Sequence, residues 1–385
     1  MAAPAAGDAE AFCLGGEAAE LQVGASWRRL ASGGPGWHAR SDHAVVSTAG
    51  GGVQVLGGVN KGAWCYGDVW RSSDSGASWS AVPVGASGRW LPRSGHAVVL
   101  LEEPGAPPRL LLLGGVGKDR MFSDVWESAD GGSGWRELAA RSSWQPRYGH
   151  RAVPVSGGGL VLTGGVTTGG FLADVWRSAD GGRTWTASAD GGSPWAARAA
   201  HALVRVRTQA GEALVLLAGM GEDGVLGDVW HSPDLGASWH PALGRSPWPA
   251  RSGPAAVPLA GGRVLLLGGF TGCDYLADVW TSGDLGRSWS QVVAAAPWLP
   301  RYCHGCVAIG GHSVLVLGGH SEDSSLSDVW ESPDRVEVQR HATVALVLGR
   351  RLETLRGISR ETWCNRVMPY LLPLGVLYQG LAARR

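Results

Sequence analysis

The chain has 385 residues, 44% of them apolar and 17% charged, with 33 basic residues against 33 acidic ones and 61 glycines. A formal net charge of zero removes the electrostatic case for a nucleic acid or an anionic membrane surface as partner. Length alone suggests two or three domains, but an internal repeat overrides that expectation.

Residues 1–23 form an Ala- and Gly-rich, acidic extension, expected to be poorly ordered. It lacks the basic and apolar regions of a secretory signal. The six cysteines (Cys13, Cys65, Cys273, Cys303, Cys306, Cys364) are out of step with the repeat. A disulfide framework would show ordered spacing, so a reducing, cytoplasmic location is expected. Next comes Gly24-Ala25-Ser26-Trp27, the tail of a phrase whose head is missing at this end of the chain.

From there to residue 334 one unit recurs about every 50 residues, the sign of a repeat architecture. Eighteen of the 20 tryptophans fall into three sets of six. One set follows Asp-Val: Trp70, Trp126, Trp176, Trp230, Trp280 and Trp330. A second ends a Gly-x-Ser-Trp-like phrase: Trp27, Trp79, Trp135, Trp185, Trp239 and Trp289. The third precedes an arginine by three residues: Trp37, Trp90, Trp144, Trp195, Trp248 and Trp298. Within a unit, strand one starts at the arginine. An apolar run ending in Gly-Gly (Leu110–Gly115 in the second copy) reads as strand two. Asp-Val-Trp reads as strand three, and the last tryptophan leads into strand four. Four short antiparallel strands per unit make the blade of a β-propeller. The double glycine fails once, at Ala218-Gly219, and Pro254 replaces the histidine that otherwise follows each arginine by three residues (His43, His96, His150, His201, His304).

These features resemble the kelch repeat: an Arg/His start, an apolar strand ending in Gly-Gly, an aromatic on strand three and a Trp on strand four. The resemblance covers roughly residues 24–334. The turn between strands three and four, such as SSDSGASW at 72–79 and SADGGRTW at 178–185, is similar to the Asp-box hairpin of sialidases. The sixth unit stops after Ser332-Pro-Asp334, and residues 24–30 supply what it lacks. The expected fold is therefore all-β: a six-bladed propeller, four antiparallel strands per blade, closed into a ring by an N-terminal strand. Residues 335–385 carry no repeat and hold nine arginines against three glutamates, a basic tail expected to be partly helical or disordered. Its uncharged stretch, residues 367–383, falls short of the roughly 20 residues a spanning helix needs.

Antiparallel order puts the connections from strand two to three and from strand four to the next strand one on a single face. The loops there differ most between units, and variable loops on a rigid scaffold are where binding resides. The candidate ligand-binding residues are Trp64, Tyr66, Tyr148, Tyr275 and Tyr302, with the arginines Arg40, Arg93, Arg147, Arg198, Arg251 and Arg301. Phe122 is a further exposed-aromatic candidate. A ring of guanidinium groups could hold carboxylates or phosphates bidentately. Equally, each arginine could pair with the Asp of its own Asp-Val-Trp (Asp68, Asp124, Asp174, Asp228, Asp278, Asp328), and one-to-one repetition favours that scaffold role. The histidines and the Cys303-x-x-Cys306 pair assign no metal, because repetition suggests packing and a second cysteine pair is missing.

The expected function is a non-catalytic binding module for a protein, peptide or small ligand. It would be a monomer, with no cofactor, no metal, no nucleic acid and no membrane. The alternatives are a sialidase-like glycoside hydrolase or glycan-binding propeller, using an arginine cluster with Tyr148 or Tyr302 and a loop carboxylate, and a copper oxidase, which the kelch resemblance allows.

Overall fold

A computed structural model of the chain describes residues 23–333, apart from 31–35, 62–64, 84, 86–87, 104, 189–192 and 311–312. The tail, Trp64 and nearly all of the N-terminal extension lie outside the described residues. Val23, assigned above to the extension, is buried against Leu265 and Val279. The described residues form six four-stranded antiparallel sheets arranged in a ring, the six-bladed β-propeller.

Blade 1 consists of Ala44–Thr48, Gly52–Leu56, Val69–Ser72 and Ser80–Ala81, and blade 2 of Ala97–Leu101, Arg109–Val116, Met121–Ser128 and Arg136–Ala139. Blade 3 takes Arg151–Val155, Gly159–Thr163, Val175–Ser178 and Thr186–Ala187, and blade 4 Ala202–Thr208, Gly211–Leu217, Val229–Ser232 and His240–Leu243. Blade 5 is Ala255–Pro258, Val264–Phe270, Tyr275–Ser282 and Ser290–Val293. Blade 6 is Gly305–Ile309, Ser313–His320 and Ser325–Ser332, with Arg28–Leu30 as its outer strand.

That outer strand pairs Arg28 with Glu331 and Leu30 with Val329. Gly24 N–H donates to Ser332 Oγ at 2.7 Å, and Trp27 meets Trp298 edge-on at 5.9 Å. In blades 1 to 5 the same jobs are done within one blade, as by Gly76 N–H on Ser72 Oγ and by Trp37 on Trp79.

The apolar runs of strand two are buried on both faces because each sheet lies between two others. Side chains alternate along a strand. Leu110 and Leu112 therefore pack toward blade 1 with Leu56 and Val69, and Leu111 and Leu113 toward blade 3 with Leu160 and Leu162. Each such leucine contributes on the order of 2 kcal/mol by burial, so no blade could keep its core alone.

Strand one begins four residues later than the sequence suggests. The third residue of each Arg-start segment (Asp42, Gly95, Gly149, Ala200, Gly253, Cys303) has a positive φ of 50–66°, which breaks the extended run. The kink turns these six backbones toward the axis, where they form a closed circle of N–H to carbonyl bonds. Asp42 donates to Cys303, Cys303 to Gly253, Gly253 to Ala200, Ala200 to Gly149, Gly149 to Gly95 and Gly95 to Asp42. A second set joins neighbouring blades. The second residue of each Gly-Gly donates its N–H to the carbonyl of the next blade's arginine, from Gly58 to Arg93 around to Gly319 to Arg40.

The first glycine of each pair faces the histidine of the next blade. Gly114 has φ 56°, and a Cβ there would stand 2.9 Å from Cε1 of His150 in blade 3. Blade 5 has Pro254 instead of that histidine, and its neighbour, blade 4, is the one that carries Ala218, at φ 62°. The two exceptions to the repeat therefore meet at one junction, where the missing imidazole leaves room for the methyl group.

Gly114→Ala is expected to cost about 2–4 kcal/mol, from left-handed strain and the imidazole clash, whereas Ala218→Gly should change stability by no more than about 1 kcal/mol. Equilibrium urea unfolding measures both, and equal costs would refute the pairing of the two exceptions. Deleting residues 1–30 should unfold or aggregate the chain, since it strips a strand and exposes a sheet edge; a truncated chain that melts like the full one, without light scattering, would count against that.

Candidate functional site

The six arginines are fully buried and held alike. In blade 2, Arg93 Nη1 donates to Asp124 Oδ1 at 2.6 Å and to the Gly114 carbonyl at 2.8 Å. Its Nη2 donates to Asp124 Oδ2 at 2.9 Å, and its Nε to the Leu91 carbonyl at 3.0 Å. Arg40, Arg147, Arg198, Arg251 and Arg301 make the same bonds to Asp68, Asp174, Asp228, Asp278 and Asp328. The other carboxylate contact is the indole N–H two residues on, as from Trp126 to Asp124 at 2.8 Å. Burial disfavours the charged form of Asp68, Asp228 and Asp328, but the arginine and indole donors outweigh it and hold these carboxyls below the usual range. Breaking such a pair leaves a buried charge uncompensated, at about 3–5 kcal/mol. With both carboxylate-facing edges occupied, the fork has no bidentate face left for a ligand.

The five histidines are buried as well. Each lies 6.0–6.5 Å from the tryptophan of its own Trp-x-x-Arg segment and faces the preceding blade's glycine pair. Burial, then the charge of the nearby arginine, lowers His43, His96 and His304 to about 3. His150 and His201 are also lowered well below the ordinary value, by burial first. Among the described residues no three His, Cys, Asp or Glu side chains gather as metal ligands.

At the opposite end, the hairpins are built from their own side chains. Asp180 Oδ1 accepts from Ser178 Oγ and the Thr184 N–H, and Oδ2 accepts from Thr184 Oγ1. Blades 1, 4 and 5 repeat this arrangement, and blade 2 keeps it without the hydroxyl, since Gly134 stands there.

The loop face is where the blades differ. Tyr148 is 36% exposed. Tyr66 is half-buried, its ring 4.3 Å from the Arg40 guanidinium carbon and its hydroxyl on the Ala39 carbonyl at 3.5 Å. Phe122 is not exposed, contrary to the sequence reading. It lies under Arg93 at 3.8 Å and is 5% accessible, because a ring there shields the ion pair. Tyr275 and Tyr302 come together. With Phe270 and His320, which sequence reading missed, they form one aromatic cluster across blades 5 and 6, with centroid separations of 4.9–6.3 Å. Phe270 and His320 each follow a Gly-Gly, and backbone bridges pair them with Ser252 and Tyr302 at the mouth of the ring. The other blades have Val59, Val116, Val166 and Met220 there. Comparing that column between copies would have found them.

Beside the cluster lie Asp42 and Cys303, from the axial circle. Burial pushes the Asp42 carboxyl up, against the pull of Cys303, Arg151 and His320. Burial likewise raises the Cys303 thiol well above its ordinary value, and Asp42 adds to it. Tyr302 is pushed up to about 12 by burial first, then by Cys303, Asp42 and Tyr275. The loop carboxylates Asp119, Glu222, Asp223 and Asp323 are exposed.

The ring of six sheets and its axial mouth define a β-propeller scaffold. A family description, the DUF6242 beta propeller domain, matches residues 37–233, just over half of the chain, and the chain belongs to that family. No curated protein matches it.

Acid should loosen the blade junctions. A histidine neutral in the fold but titrating near 6.5 when unfolded contributes stability that is complete above pH 6.5 and is lost as pH falls toward 3. At pH 5 the loss should be roughly 1–2 kcal/mol per histidine. Urea unfolding at pH 7.5 and 5 should show it, with a smaller drop for His96→Leu; an unchanged slope in that variant would refute the mechanism.

Proposed function

We propose that this chain is a non-catalytic binding module, a kelch-type propeller with Asp-box hairpins, which recognises a protein or peptide through its loop face. The observation that carries this reading is the aromatic cluster of Phe270, Tyr275, Tyr302 and His320. It departs from the repeat on the face where loops vary, and aromatic side chains supply much of the binding energy at protein interfaces. Tyr148, 36% exposed, holds in blade 3 the place that Tyr302 holds in blade 6. The arginines, by contrast, serve the scaffold in every blade.

A glycoside hydrolase is less well supported. A tyrosine nucleophile needs an easily lost proton, and the surroundings of Tyr302 push its pKa up, to about 12.

Tyr275→Ala/Tyr302→Ala should weaken capture of the partner by at least about tenfold, with the melting temperature held so that lost binding is not lost folding. Affinity capture by the full chain, followed by titration of the captured protein, measures this. Undiminished binding by the double variant, or turnover of a fluorogenic sialoside by the wild type, would overturn the reading.

A further inference from the structure

Four residues after each scaffold arginine, the first residue of the inner strand is Ala44, Ala97, Arg151, Ala202, Ala255 or Gly305. Five of the six blades thus place a methyl group or nothing at this level, and blade 3 places a guanidinium. The inner strand of blade 3 packs between those of blades 2 and 4, and Arg151 follows the axial circle by two residues. Its charge is felt by Asp42 of blade 1, His201 of blade 4 and both Cys303 and His304 of blade 6. The first residue of an innermost strand, two residues past the circle, stands beside the axis.

Arg151 is half-buried. Among the described residues, no carboxylate pairs with it and no acceptor takes a hydrogen bond from it, whereas the six scaffold arginines have their forks filled. The alternative role is simple filling of the axis. A filler would be apolar, as the alanines of four other blades are, and needs no guanidinium. A planar fork with free donors matches the oxygens of a phosphate or a carboxylate.

We infer that Arg151 is the anchor of an oxyanion site on the propeller axis, below the aromatic rim and built by breaking the Ala/Gly pattern in one blade. Asp42 lies near the same axis and opposes an anion there, so it sets the affinity from the other side. The site is separate from the rim surface, and either can fail without the other.

The test uses the purified full chain with inorganic phosphate and acetate as probes, at constant ionic strength in chloride, read by calorimetry and thermal melting. Arg151→Ala restores the residue of four other blades, so it should fold. The wild type should bind phosphate, acetate or both, and the response to each tells a phosphate ligand from a carboxylate one. Arg151→Ala should bind at least about tenfold more weakly, the loss of a charge-assisted hydrogen-bonded pair. Asp42→Asn should bind more tightly. Binding of neither probe by the wild type, equal binding by Arg151→Ala, or weaker binding by Asp42→Asn would each overturn the assignment.

Discussion

Each blade is pinned by one buried guanidinium gripping one carboxylate. The arginine ties the approach to strand one to the end of strand two, through a glycine carbonyl, and to the start of strand three, through the aspartate. Its own backbone carbonyl then accepts the N–H from the preceding blade's second glycine. One residue therefore sets the geometry inside a blade and between blades. The tryptophan three residues earlier flanks the guanidinium at 5.4–5.8 Å in five blades, keeping water from a pair whose value depends on a low local dielectric. In water such a pair would contribute little.

A scaffold this repetitive makes its exceptions meaningful. Ala218 and Pro254 are exceptions that cancel, since a lost imidazole and an added methyl share one junction. Phe270, Tyr302 and His320 are exceptions that accumulate, all at the mouth of the ring in blades 5 and 6. Asp42, Cys303 and Arg151 form a third group, at the axis. Nothing in the scaffold requires these two groups, which is why the proposed binding surface and the axial anion site are built on them.

Much of the fold was legible because repetition is legible. Trp70, Trp79, Trp90 and their copies mark strand three, strand four and the start of the next blade, and alternation in the Leu110–Leu113 run follows from burial on two sides. The pairing of Arg93 with Asp124 could be read as the scaffold option from one-to-one matching alone. The candidate site was legible in part. Tyr275 and Tyr302 stood out as tyrosines on the variable face, but Phe122 was misplaced there. An aromatic in a loop can turn inward to cover an ion pair, and local sequence carries no sign of the choice. Arg151 was missed because it sits inside a strand pattern, and Phe270 and His320 because they open loops that vary in every copy; in both places an unusual residue looks like ordinary variation until the copies are compared position by position.

By itself, the sequence determined the number of blades, the strand order within each and the residues that form the buried pairs, because periodic local contacts leave a periodic trace. Only the tertiary structure decided which residues reach the axis. The left-handed kink at Asp42, Gly95, Gly149, Ala200, Gly253 and Cys303 breaks the extended run and joins six distant segments in one hydrogen-bonded circle. Proximity across that circle depends on the closure of the whole ring, and no stretch of neighbouring residues encodes it.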